Sequence, residues 1–123
     1  MMRVRIRRKV NEMQIRERTA AALAEELGLK VVLNADPERT VTCGYAGDLL
    51  SWVMGRAPSD CAWVTVMSNV NVIAVASLAD VGCIILAEGA EIDEEALEKA
   101  RAVGINIFAT SLPVFDVCAK LAN

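Results

Sequence analysis

Cys61-Ala62-Trp63-Val64-Thr65-Val66, Cys83-Ile84-Ile85-Leu86 and Ile105-Asn106-Ile107-Phe108-Ala109 are three short runs rich in β-branched or aromatic side chains. Nearly unbroken apolar runs of this length are the pattern of strands covered on both faces. Each is followed by a polar turn and then a helical pattern, and strands alternating with helices imply a parallel sheet. The fold class is therefore α/β, a small, mostly parallel sheet with flanking helices in a single domain, ending in three consecutive βα units. The order of the strands does not follow from this pattern.

Working outward, Met13, Ala20, Leu23, Ala24 and Leu27 recur at helical spacing and predict a helix from Glu12 to Leu27, stopped by Gly28 in a left-handed cap. Lys30-Val31-Val32-Leu33 reads as a strand, Asn34-Ala35-Asp36-Pro37 as a turn, and Val41 to Tyr45 as a further strand. Asp48 is placed to cap a short helix running through Met54. The helix Val72 to Leu78 has no polar face. It is either sandwiched inside the domain or buried at a subunit contact, since alone it exposes Ile73, Val75 or Leu78. Asp93 caps an amphipathic helix with Glu94 and Glu95 in its first turn, Arg101 near its end and Gly104 as its stop. Thr110 or Ser111 caps the last helix, Val114 to Leu121, with Pro113 in its first turn. Trp52, Trp63, Phe108 and Phe115 read as core.

A chain of 123 residues, 54% hydrophobic, buries a core without metal or disulfide staples. Residues 1–18 hold seven of the thirteen basic groups against Glu12 and Glu17, so residues 1–11 read as a basic arm, a candidate for disorder, on an acidic domain spanning 12–123. No aromatic interleaves the arginines of the arm, which argues against a nucleic-acid partner. No signal-peptide pattern is present, and the apolar run Val70 to Ala79 is far short of the ~20 residues that cross a bilayer, so a cytoplasmic protein without membrane association is expected. The four cysteines form no C-x-x-C pair, and there is no histidine, so neither a metal site nor a cofactor is expected. They read as small buried hydrophobes in a reducing compartment, except Cys43, whose glycine-containing turn favours an exposed thiol.

Chemistry-bearing motifs are missing. There is no G-x-x-x-x-G-K-[ST], Gly44 and Gly47 do not make a dinucleotide fingerprint, and without histidine no hydroxyl or thiol has an obvious base beside it. A non-enzymatic chain with no catalytic residues is expected. In an open parallel sheet, ligands sit beyond the carboxyl ends of the strands. That rule selects Met67 to Asn71, Ala87 to Glu91 and Ala109 to Ser111, with Ser68, Asn69, Asn71, Thr110 and Ser111 as donors to a small anion. Plain helix capping is the alternative role of each.

As an ordered set, several segments resemble the DRTGG domain: Leu29-Lys30-Val31-Val32 after a helix, Asp36-Pro37-Glu38-Arg39-Thr40-Val41-Thr42-Cys43-Gly44, Gly47-Asp48-Leu49-Leu50-Ser51, Asn71-Val72-Ile73-Ala74-Val75-Ala76, and Gly104-Ile105-Asn106-Ile107-Phe108 through Pro113-Val114-Phe115. Cys43-Gly44 stands where the family has paired glycines. The resemblance implies an α/β domain, similar also to the N-terminal domain of HPr kinase, that acts as a regulatory, homodimer-forming or ligand-sensing part beside the catalytic domains of phosphotransacetylases and CBS-containing pyrophosphatases. Carried onto this chain, it implies a binding role for Arg39, Thr42, Gly44, Gly47, Asp48 and Ser51. Stand-alone copies of this length suggest the alternative of an assembly or interaction subunit with a hydrogenase-type or electron-transfer protein as partner.

Overall fold

A computed structural model describes residues 13–123; the basic arm and Glu12 lie outside the described residues. The elements run β1 (Met13–Thr19), α1 (Ala20–Leu27), β2 (Lys30–Leu33), β3 (Thr40–Ala46), α2 (Leu50–Arg56), β4 (Cys61–Thr65), α3 (Val70–Ala79), β5 (Cys83–Leu86), α4 (Glu94–Val103), β6 (Ile107–Ala109) and α5 (Val114–Ala122). They form one α/β domain around a single six-stranded sheet in the order β1-β3-β4-β5-β6-β2. β3, β4, β5 and β6 are mutually parallel, and β1 and β2 are antiparallel strands at the two edges.

The apolar runs work by period two. Cys61, Trp63, Ile84 and Leu86 face one layer, packed by Val53 of α2, Val72, Ile73 and Ala76 of α3, and Ala96 and Ala100 of α4. Ala62, Val64, Cys83, Ile85 and Phe108 face the other, packed by Leu23, Ala24 and Leu27 of α1 and Val117 and Leu121 of α5. All five β4 residues and all four of β5 are buried, which explains why neither strand alternates polar with apolar. α3 packs between α2 and α4, which covers Ile73 and Val75 and leaves Leu78 74% exposed.

Three sequence expectations change. The helix read from Glu12 to Leu27 is a strand followed by a shorter helix, because β1 completes the outer edge of β3 through antiparallel pairing, Met13 opposite Gly44 and Thr19 opposite Thr40. Thr19 marks the switch, its Oγ1 accepting from the Ala22 amide at 3.1 Å. Gly28 closes α1 at φ 69°, and the Leu29 amide folds back to the Ala24 carbonyl at 2.9 Å, as expected. The second change concerns aromatics. Trp63 and Phe108 are fully buried, but Trp52 is 52% and Phe115 81% exposed, because α2 and α5 turn them away from the sheet.

Cys43 is also buried rather than exposed, since its segment is the interior of β3 and not a turn; it stands opposite Cys61 in the parallel register.

Candidate functional site

The connections locate a crevice. The loops after β4 and β5 lead to α3 and α4 on one face, whereas the loop after β6 leads to α5 on the other. Neighbouring parallel strands whose chains leave to opposite faces open a gap at their carboxyl ends. Here that gap lies between β5 and β6.

A cleft of about 220 Å³ occupies this place, lined by Lys30, Gly89, Ala90, Glu91, Ala109, Thr110 and Ser111. A second depression of about 230 Å³ shares Lys30, Ala90, Glu91 and Ala109 and adds Val32, Leu86 and Ile92. The loops around it are laced together. The Gly89 amide donates to the Thr110 carbonyl at 3.0 Å, the Glu88 amide to the Leu112 carbonyl at 2.8 Å, and the Leu112 amide to Thr110 Oγ1 at 3.2 Å. Glu88 and Gly89 both take left-handed backbone, φ 60° and 75°, which turns the chain sharply over the strand ends. The cleft thus offers one ammonium, two hydroxyls and one carboxylate over an apolar floor. Among the described residues no three His, Cys, Asp or Glu side chains converge to bind a metal.

The sequence candidates divide. Thr110 and Ser111 border the cleft. Neither caps α5. Pro113 takes the N-cap position, and the exposed first-turn amide of Val114 is met at 2.9 Å by Glu88 Oε2 reaching across from the β5 loop. Gly47, Asp48, Ser51, Ser68, Asn69 and Asn71 gather at the same sheet edge but around the ends of β3 and β4. Asp48 does not cap α2; its Oδ1 accepts from Thr65 Oγ1 at 2.6 Å and the Val66 amide at 3.0 Å, because the end of β4 presents two donors to it. The Gly47 carbonyl accepts from Trp63 Nε1 at 2.9 Å. Asn69 caps α3 through the Asn71 amide at 2.9 Å, and the Ser68 carbonyl accepts from the Asp93 amide at 3.1 Å. Ser51 is exposed in the first turn of α2.

Arg39 and Thr42 lie at the opposite end. Arg39 precedes β3 and donates to Asp60, before β4, and to Asp80, before β5; the Thr42 amide donates to the Asp60 carbonyl at 3.1 Å. Burial opposes the Arg39 charge, but its hydrogen bonds to the two aspartates outweigh that and raise its pKa above the usual arginine value. Gly44 sits inside β3, with Leu121 of α5 placed over it.

Sequence reasoning missed Lys30. It opens an edge strand, and only the antiparallel pairing of β2 with β6, Lys30 opposite Ala109, carries it to the strand ends.

No family model matches the sequence, and neither does any curated protein. Among solved structures, the fold is similar to that of the CBS and DRTGG domains of the regulatory region of Clostridium perfringens pyrophosphatase, complexed with the activator diadenosine tetraphosphate, with a TM-score of 0.71 and 10% identity over 85% of this chain. The chain spans 46% of that structure's length, so less than half of it is matched. At this identity the likeness is one of fold, and it supports the DRTGG-like architecture expected from the sequence. No helix among the described residues is long and apolar enough to cross a membrane.

Proposed function

We propose that this chain is a cytoplasmic, non-catalytic regulatory domain that homodimerises and senses a small anionic metabolite or nucleotide in the cleft between the β5 and β6 ends. The observation that carries the reading is the coincidence of the topological switch point with the cleft that holds Lys30, Thr110 and Ser111. Kinship of fold with a regulatory region crystallised with a nucleotide activator supports it. The opposing carboxylate of Glu91 selects for a ligand that carries a donor as well as an anionic group. A thermal-shift panel of inorganic phosphate, nucleotides and carboxylate metabolites tests the reading: a saturable rise in Tm with an anion is expected, and no rise with any member overturns it.

A second reading, an assembly subunit for a hydrogenase-type or electron-transfer partner, has its own observation. Leu49, Trp52 and Met54 are each at least half exposed on and beside α2, and the Arg56 guanidinium lies 3.8 Å from the Trp52 ring. Exposed Trp, Met and Arg are enriched where proteins meet. Substituting Trp52 and Met54 by serine abolishes partner capture under this reading and leaves ligand-induced shifts intact.

A further inference from the structure

We infer that the cleft between β5 and β6 takes an aliphatic α-amino acid, with its carboxylate on Lys30, Thr110 and Ser111, its ammonium on Glu91 and its side chain in the adjoining depression. This rests on the ligand-sensing part of the reading above and narrows the ligand. Opposite charges carry the first step. Lys30 and Glu91 line both depressions, yet they make no ion pair with each other or with any other described residue. An ammonium and a carboxylate that share a hollow but stand too far apart to bond leave room for a molecule carrying both signs, each end meeting its opposite. A simple anion would be drawn by Lys30 and repelled by Glu91. Thr110 adds a donor, because its Oγ1 accepts from the Leu112 amide and keeps its own proton to give, with Ser111 beside it at the rim.

The apolar half fixes the rest of the ligand. Val32 of β2 and Ile92, just before α4, wall the second depression, and Leu86 at the end of β5 lines it between them. Lys30 and Val32 belong to one strand, and Glu91 and Ile92 to one loop, so each wall carries one charge and one aliphatic side chain. No aromatic lines either depression, and a nucleobase therefore has no ring to stack on. The two hollows, of about 220 and 230 Å³, are each smaller than the ~300–1,000 Å³ of pockets for drug-sized ligands, which again points to a small molecule. A branched aliphatic side chain such as that of leucine or valine matches aliphatic walls set directly beside the two charges.

Calorimetric titration of the full chain tests this with leucine, glycine, isocaproate, which is leucine without its ammonium, and isoamylamine, which is leucine without its carboxylate. Leucine should bind saturably, and each of the others at least ~10-fold more weakly. Glu91→Gln should weaken leucine at least ~10-fold and leave isocaproate no weaker than before. Val32→Thr should weaken leucine about fourfold and leave glycine unchanged, since it removes one methyl group from the apolar wall. Neither side chain is fully buried, and both variants should keep the far-UV circular dichroism of the wild type. A rise in Tm with inorganic phosphate or a nucleotide but no binding of leucine overturns this inference and leaves the ligand-sensing reading standing. Isocaproate binding as tightly as leucine also overturns the inference alone, because the ligand is then a simple anion. No response to any of these compounds overturns both.

Discussion

Arg39 holds Asp60 with two nitrogens, Nε at 3.2 Å and Nη2 at 2.9 Å from the same Oδ1, while Nη2 also reaches the Asp80 carbonyl at 2.7 Å and its Oδ1 at 3.1 Å. Both aspartates are in left-handed backbone, φ 67° and 58°, where non-glycine residues are uncommon. The arginine therefore ties together the entries of β3, β4 and β5. Charge-assisted hydrogen bonds of this kind contribute about 1.5–3 kcal/mol when sheltered and less when water reaches them. Arg39→Met should lower unfolding free energy by about 1–2 kcal/mol in urea titration, for a side chain about a quarter exposed.

That role also shows what the sequence could and could not disclose. The parallel centre was legible because β4, β5 and β6 are covered on both faces and their apolar runs announce it. β1 was not, because Met13, Ala20 and Leu23 fit a helical stripe, and the strand exists through pairing with β3 more than twenty residues away. Thr110 and Ser111 followed from the strand-end rule, which needs only chain direction. The binding role that the resemblance implies for Arg39 misses its acidic partners, which lie 21 and 41 residues onward, a separation no local pattern reports. Lys30 stayed hidden for the same reason.

Gly82 is the most closely packed glycine among the described residues. A Cβ there would meet Val41 Cγ2 at 3.0 Å and the carbonyl oxygens of Asp60 and Thr40 at 3.2 Å. Two of those three atoms are backbone and cannot swing aside. Gly82→Ala should destabilise by about 1–3 kcal/mol, the usual cost of overpacking. Gly44→Ala, whose added carbon meets Leu121 at 3.9 Å, should be far milder in the same urea titration.

Thiol reactivity separates the cysteines. Cys43, Cys61 and Cys83 are buried; burial pushes the Cys61 thiol well up, with Cys43 beside it adding to the effect, and pushes Cys83 to about 12. Cys118 is partly exposed, its pKa raised only by burial. In dilute native protein, iodoacetamide should modify Cys118 alone, faster as pH rises, and all four cysteines only after unfolding. Peptide mapping that finds Cys43 labelled in the native state would contradict the burial of β3.

The ion pairs of Glu26 with Arg16 and Arg18 carry the pH dependence, and Arg18 is their buried partner. Its side chain is 5% exposed; Nε lies 3.2 Å from Glu26 Oε1, too poorly aligned for a hydrogen bond, while Nη1 donates to the Arg16 carbonyl at 2.9 Å. Glu26 also accepts from Arg16 Nη2 at 2.6 Å, and that bond foremost holds its pKa below the ordinary 4.5. A depressed folded-state carboxylate stabilises above its unfolded value and loses that contribution as pH falls through the folded one. Glu26→Gln should therefore melt earlier than wild type at pH 7, and the gap should narrow as pH falls below the ordinary glutamate value and vanish below the depressed folded-state one.

The two ends of the sheet make the last prediction. If the cleft between β5 and β6 takes an anion, Lys30→Glu replaces the attracting ammonium with a carboxylate beside Glu91 and should abolish the anion-induced rise in Tm. Thr110→Val removes a hydroxyl that accepts from the Leu112 amide, so it should weaken binding about tenfold and loosen the loop as well. Arg39→Met lies at the other end, among Asp60 and Asp80, and should lower the baseline Tm while leaving the anion-induced increment unchanged. An increment that survives Lys30→Glu and disappears with Arg39→Met would move the binding site to the strand entries, where the two aspartates already neutralise the arginine.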